Sequence, residues 1–124
     1  MPGRSVFVVD DEASICAVVE AALTDEGCSV RTFLDPHEAL TAFRAGDIPD
    51  VALVDLWMND IGGEEFCREI QRLGVPTRCI VMSGANEAPA AAEALGLRLV
   101  RKPFDINKLI DAVLHPDAPD DGHA

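Results

Sequence analysis

Apolar residues along this chain fall into short runs separated by longer, periodic stretches. Ser5 to Val9 is too short for a helix and rich in β-branched valine, the mark of a strand covered on both faces. It stops at Asp10-Asp11. From Ala13 to Glu26 the apolar positions Ile15, Val18, Val19, Ala22 and Leu23 recur at helical spacing, and Gly27 stands where a helix C-terminal cap is expected. Val30 and Phe33 mark a second strand. Asp35-Pro36 then supplies an N-cap followed by proline at the first helical position, with Ala39, Leu40 and Phe43 as the apolar face and Gly46 as the stop.

The same alternation continues to the end of the patterned region. Val51 to Val54 is a strand that ends at Asp55. After the Gly62-Gly63 loop, Phe66, Ile70 and Leu73 line a helix closed by Gly74. Thr77 to Met82 is a fourth strand ending at Ser83-Gly84, and alanine-rich Ala88 to Leu95 a fourth helix. Leu97 to Val100 is a fifth strand, and Asp105 caps a last helix through Leu109, Ile110 and Val113. Five strands alternating with five helices predict βαβ units with right-handed crossovers: an α/β, flavodoxin-like (βα)5 doubly wound fold, its five-stranded parallel sheet carrying helices on both faces. Phe33, Phe43 and Phe66 are core residues by spacing. From His115 the sequence HPDAPDDGHA has nothing to bury, so the expected division is a folded domain over 1–114 and an acidic, disordered tail over 115–124.

Composition narrows the function. The chain has 124 residues, room for one domain, and no apolar run approaches the roughly 20 residues of a membrane span. No membrane association is expected, and the start lacks the long apolar stretch of a secretory signal, so a cytoplasmic location is expected. A net charge of −12, with only 10 Lys and Arg, argues against a direct hold on nucleic acid. Cys16, Cys28, Cys67 and Cys79 form no C-x-x-C pair, so free thiols are expected and not a zinc or redox motif. His37, His115 and His123 are isolated and read as surface residues.

In an open parallel sheet, ligands sit beyond the carboxyl ends of the strands. Those ends carry Asp10-Asp11, Asp55, Ser83-Gly84 and Lys102-Pro103. Carboxylates gathered at one edge repel one another unless a cation sits among them, and oxygen ligands of this kind suit Mg²⁺.

These residues resemble the receiver domains of two-component response regulators (CheY-like), from about Val6 to about Val113. Val8-Val9-Asp10-Asp11-Glu12 looks like the family's acidic pair, Val54-Asp55-Leu56 with Gly62-Gly63 like its phosphoacceptor strand and loop, Ser83-Gly84 like its switch hydroxyl, and Lys102-Pro103-Phe104 like its lysine motif. The resemblance implies a phosphoacceptor switch that is not a turnover enzyme. Asp55 would be the nucleophile that takes a phosphoryl group from a histidine kinase, a histidine phosphotransfer protein or a small phosphodonor. Asp11 would bind Mg²⁺ directly, Asp10 through water or hydrogen bonds, Asp55 as a further ligand and Trp57 through its backbone carbonyl. Lys102 and Ser83 would share the phosphoryl oxygens. A downstream effector protein or domain would read the result, and a cis bond before Pro103 is implied.

Three features depart from the family pattern: Asn59 where proline is common, Leu99 where an aromatic usually reports the switch, and a stretch from Ser83 to Lys102 a few residues shorter than usual. The residues expected beside an attacking water, Trp57 and Ala85, offer no acid or amide, so slow autodephosphorylation is expected. Two other readings compete. A non-phosphorylated pseudo-receiver that only binds partners would lack the acidic pair, the acceptor or the lysine, and all are present. A Mg²⁺ phosphatase with an aspartyl nucleophile would need a second acid at position 57, which is tryptophan.

Overall fold

The computed structural model describes residues 4–56, 62–84 and 88–116. Its elements are β1 (Ser5–Val9), α1 (Ala13–Asp25), β2 (Ser29–Phe33), α2 (Pro36–Arg44), β3 (Val51–Asp55), α3 (Gly63–Leu73), β4 (Arg78–Ser83), α4 (Ala88–Leu95), β5 (Arg98–Arg101) and α5 (Ile106–Leu114). All pairings are parallel, in the order β2-β1-β3-β4-β5. The connection reverses direction between β1 and β3, which opens a crevice at their carboxyl ends.

Strand alternation divides the core in two. Phe7, Val9, Ala52, Val54 and Val81 face a layer built with α2, α3 and α4. Val6, Val8, Leu53, Ile80 and Met82 face α1 and α5. The central strands are therefore apolar through their middles and anchored from both sides. Phe7 packs on Phe33 and Phe43, and Phe43 on Phe66, at ring separations of 4.8, 5.4 and 6.3 Å.

Local signals act as expected at most element ends. Asp35 and Asp105 cap α2 and α5, each accepting from the backbone N–H two residues on, at 2.9 Å. Gly27 and Gly74 take φ of 89° and 70° after α1 and α3, a left-handed conformation that costs a glycine little.

Two helix-face assignments need correction. Val18 is 56% exposed, because the buried stripe of α1 is Cys16, Val19 and Leu23 and, at 3.6 residues per turn, Val18 lies roughly 130° from its centre. Leu73, 41% exposed, ends α3 and is not among its buried residues, Gly63, Phe66, Cys67 and Ile70. Strands β4 and β5 each begin one residue later than expected, and run one residue further, into Ser83 and Arg101. α4 is a short helix of 8 residues, in keeping with the shortened stretch before Lys102. The four cysteines are free and buried. No helix among the described residues is long and apolar enough to cross a membrane. The tail expected over 115–124 lies, from residue 117 on, outside the described residues.

Candidate functional site

The apolar bodies of β1 and β3 run side by side, Val9 opposite Val54, so the residues that follow them emerge together. Asp10 follows Val9 and Asp55 ends β3. Asp10, Asp11 and Asp55 each offer a carboxylate oxygen, and these oxygens all lie within 4.8 Å of one another. Asp10 and Asp55 are buried, at 0% and 5% exposure, while Asp11 is half-buried and gives the cluster its opening to solvent.

Backbone contacts hold these groups in place. The Asp10 N–H donates to the Phe33 carbonyl at 3.1 Å, tying β1 to β2 beyond their ladder. One Asp10 oxygen accepts from the Glu12 N–H at 3.0 Å. On the other side of Asp55, the Leu56 N–H donates to the Met82 carbonyl and the Gly63 N–H to the Leu56 carbonyl, both at 3.0 Å. The first turn of α3 therefore rests on the end of β3. A Cβ at position 63 would stand 2.1 Å from the Asp55 carbonyl oxygen, so only glycine fits there.

Lys102 enters from the end of β5. Its N–H donates to the Ser83 carbonyl at 3.0 Å, and Gly84 leaves room for the lysine backbone, since a Cβ there would come 3.0 Å from the Lys102 carbonyl. The Lys102-Pro103 bond is cis, as the resemblance implied. Lys102 Nζ donates to Asp10 Oδ2 at 2.8 Å and stands 3.7 Å from Asp55 Oδ2 and 3.8 Å from Glu12 Oε1. Burial pulls the ammonium down, but the Asp10 hydrogen bond and the charges of Asp55, Asp10 and Glu12 outweigh it and raise its pKa. Ser83 is buried at the end of β4.

The residues fit a divalent cation. Three carboxylates against one ammonium leave two negative charges in a mostly buried cluster of oxygen donors, the preference of Mg²⁺. Bound there, such an ion would neutralise charge on an incoming phosphoryl group.

The chain matches the response regulator receiver domain model over residues 6–114. It belongs to the response regulator receiver family. Among curated relatives, the response regulator MprA of Mycolicibacterium vanbaalenii is 31% identical over 128 residues, covering 98% of this chain and 54% of that protein. The DNA-binding transcriptional regulator NtrC of Proteus hauseri is 33% identical over 113 residues, covering 89% of this chain and 24% of NtrC. The receiver thus spans about half or less of these relatives. Among solved structures, the response regulator DrrB of Thermotoga maritima, an OmpR/PhoB homologue, superposes with a TM-score of 0.81 at 27% identity, covering 93% of this chain and 52% of that one.

Asp10, Asp11, Asp55, Ser83 and Lys102 are thus brought to one edge of the receiver, while Trp57, Asn59 and Ala85 lie outside the described residues. Sequence reasoning gave no role to three further residues. Gly63 and Gly84 are the close-approach points, and their signal was a glycine beside each motif. Cys16 donates its S–H to the Asp10 carbonyl at 3.3 Å, and burial, then the Asp10 charge, pushes its thiol up to about 11. Leu99 is half-buried against the layer beneath α2, α3 and α4.

Proposed function

We propose that this receiver is a phosphoacceptor switch of a two-component phosphorelay, with Asp55 as the acceptor. The observation that supports it most is a buried Asp55 whose carboxylate shares one small space with Asp10 and Asp11 and lies 3.7 Å from the Lys102 ammonium. An Asp55 oxygen would attack phosphorus as the P–N bond to a donor histidine breaks, or the P–O bond to a small donor. Asp10, Asp11 and Asp55, with the Trp57 carbonyl, would hold Mg²⁺. Lys102 is already poised between Asp10 and Asp55, so a modest shift would carry it onto a phosphoryl oxygen, with Ser83 on another.

Partners in this reading are a histidine kinase or histidine phosphotransfer protein and a downstream effector. The strongly acidic chain makes no nucleic-acid contact of its own. With Leu99 in place of an aromatic, output runs through loop movement and the face of β5 and α5. Slow autodephosphorylation belongs to the same reading, since Trp57 and Ala85 supply no group to orient water.

The test is intact-protein mass spectrometry after acetyl phosphate and Mg²⁺. The parent should gain one phosphoryl group, about 80 Da, and Asp55→Asn should gain none. A labelled Asn variant would move the acceptor elsewhere. A parent that takes no label would instead be a pseudo-receiver that works by binding alone.

A further inference from the structure

A cavity of about 400 Å³ lies at the amino ends of β4 and β5, at the opposite end of the sheet from Asp55. Ile70, Val75 and Leu97 give it apolar walls, and Arg78 and Arg98 give it positive charge. Such charge is scarce in a chain with 22 Asp and Glu against 10 Lys and Arg. Pro116, two residues beyond α5, lines the same cavity, so the chain leaves the last helix along the cavity wall.

Arg98 is incompletely matched there. Its side chain is only 11% exposed. Among the described residues, Nη1 donates to the His115 carbonyl at 3.3 Å, and the Asp111 carboxylate stands 3.9 Å from Nη2, too far for a hydrogen bond. A guanidinium carries five N–H donors, so a mostly buried one served by one carbonyl and a distant acid is short of acceptors. Arg4 gathers at the same helix end, where its Nε donates to the Leu114 carbonyl at 3.2 Å. The sequence that follows Pro116 is Asp117-Ala118-Pro119-Asp120-Asp121, with three acids and no base. At no more than about 3.5 Å per residue, even Asp121 lies within roughly 18 Å of Pro116. A tether this short gives the aspartates an effective concentration on the order of millimolar at the arginines, which a free anion would have to match. Pro119 has its φ fixed in advance, which lowers the cost of ordering the segment.

We propose that the cavity is a docking site for the acidic segment 117–121 of the same chain, which folds back and sets its carboxylates against Arg98 and Arg78. A docked carboxylate supplies Arg98 with the close acceptor that Asp111 does not. The segment has almost no apolar surface to bury, so charge holds it in place and salt releases it. Docking ties the path of the chain after α5 to the amino ends of β4 and β5. It does not depend on whether Asp55 is phosphorylated.

The experiment is NMR on the whole isotope-labelled chain, comparing the parent with a variant that combines Asp117→Asn, Asp120→Asn and Asp121→Asn. All three residues lie beyond α5, so the variant leaves the core packing untouched. In the parent, the backbone amides of Ala118, Asp120 and Asp121 should give heteronuclear NOEs close to those of α5. The triple variant should lose them, and so should the parent in about 1 M NaCl, where the screening length is roughly 3 Å. The Arg98 Nε–H resonance should move in step. Arg98→Gln should reduce the docked population about fivefold, the worth of one partly screened pair. Low NOEs for these amides in the parent would overturn the proposal, as would an Arg98 Nε–H that stays put in the triple variant. Segment shifts that depend on protein concentration would assign the contact to a second copy. Benzoate that moves Arg98 equally in parent and triple variant would assign the cavity to a free organic anion. Either result also overturns the proposal. The triple variant carries the decision even if Arg98→Gln folds poorly.

Discussion

Two aspartates bracket β3, and they live in opposite circumstances. Asp50, just before the strand, is exposed, and its carboxylate accepts from the Ser5 N–H at 2.9 Å while its own N–H donates to the Ser5 carbonyl at 2.9 Å. It stitches the amino ends of β1 and β3 together with neutral partners. Asp55, at the other end, is buried beside two more carboxylates and a lysine. The same side chain is a structural clasp where water screens it and donors surround it. Where acids crowd into a mostly buried crevice it is a group held at a cost, which the single ammonium of Lys102 offsets only in part. The contrast separates residues that stabilise this receiver from residues that it must stabilise.

The widest separation between the two ends is expected on exchange of each aspartate. Asp55→Asn should take no phosphoryl label and, without metal, be as stable as the parent or more so, because one of three crowded acids is gone. Asp50→Ala should label like the parent and lose about 1 kcal/mol in urea unfolding, the worth of its clasp. If Asp50→Ala fails to label while fully folded, the two ends are not separable as argued.

A second comparison sharpens how the carboxyl end is held. Gly63→Ala should cost about 3 kcal/mol, since its methyl meets the Asp55 carbonyl and the backbone must shift. Gly62→Ala, where a Cβ meets nothing within 4 Å, should stay within about 0.5 kcal/mol of the parent. Equal melting temperatures for the two would dissolve the close contact between α3 and β3.

Metal should act at one end only. Mg²⁺ at a hundred times its Kd should stabilise the parent by about 2.7 kcal/mol, read as a thermal shift. Asp11→Ala should remove most of that gain, and Asp50→Ala none of it. A full shift in the Asp11 variant would place the ion elsewhere.

The smallest effect concerns alkaline pH in the presence of chelator. Cys16 and Cys28 both hold their protons more tightly in the fold than the ordinary value of 9.0, chiefly through burial. Raised folded values mean that their contribution is complete below pH 9.0 and drains away as pH climbs, through about 11 for Cys16. Urea midpoints should therefore fall above pH 9.0, and Cys16→Ala should flatten part of the decline. A midpoint that rises with pH would reverse the sign.

Most of the fold was legible because local chemistry and global need coincide here. β1 and β3 are apolar runs that meet aspartate at their carboxyl ends, and both are buried on both faces. Asp35-Pro36 and Asp105 announce helix starts by capping the backbone within two residues. The misread residues have the opposite character. Val18 and Leu73 fit an apolar period, but a helical period fixes a stripe only to within a turn, and what lies opposite decides which flank is covered.

Hydrophobic period and turn chemistry are local properties, so the parallel α/β sheet, with Asp10, Asp11, Asp55, Ser83 and Lys102 at its strand ends, could be read along the chain. Tertiary packing set the rest: Lys102 Nζ sits on Asp10 at 2.8 Å and farther from Asp55, and Gly63 has no space for a methyl. Those distances depend on how helices settle against a twisted sheet, through contacts between residues far apart in the chain. No local pattern along the sequence encodes them.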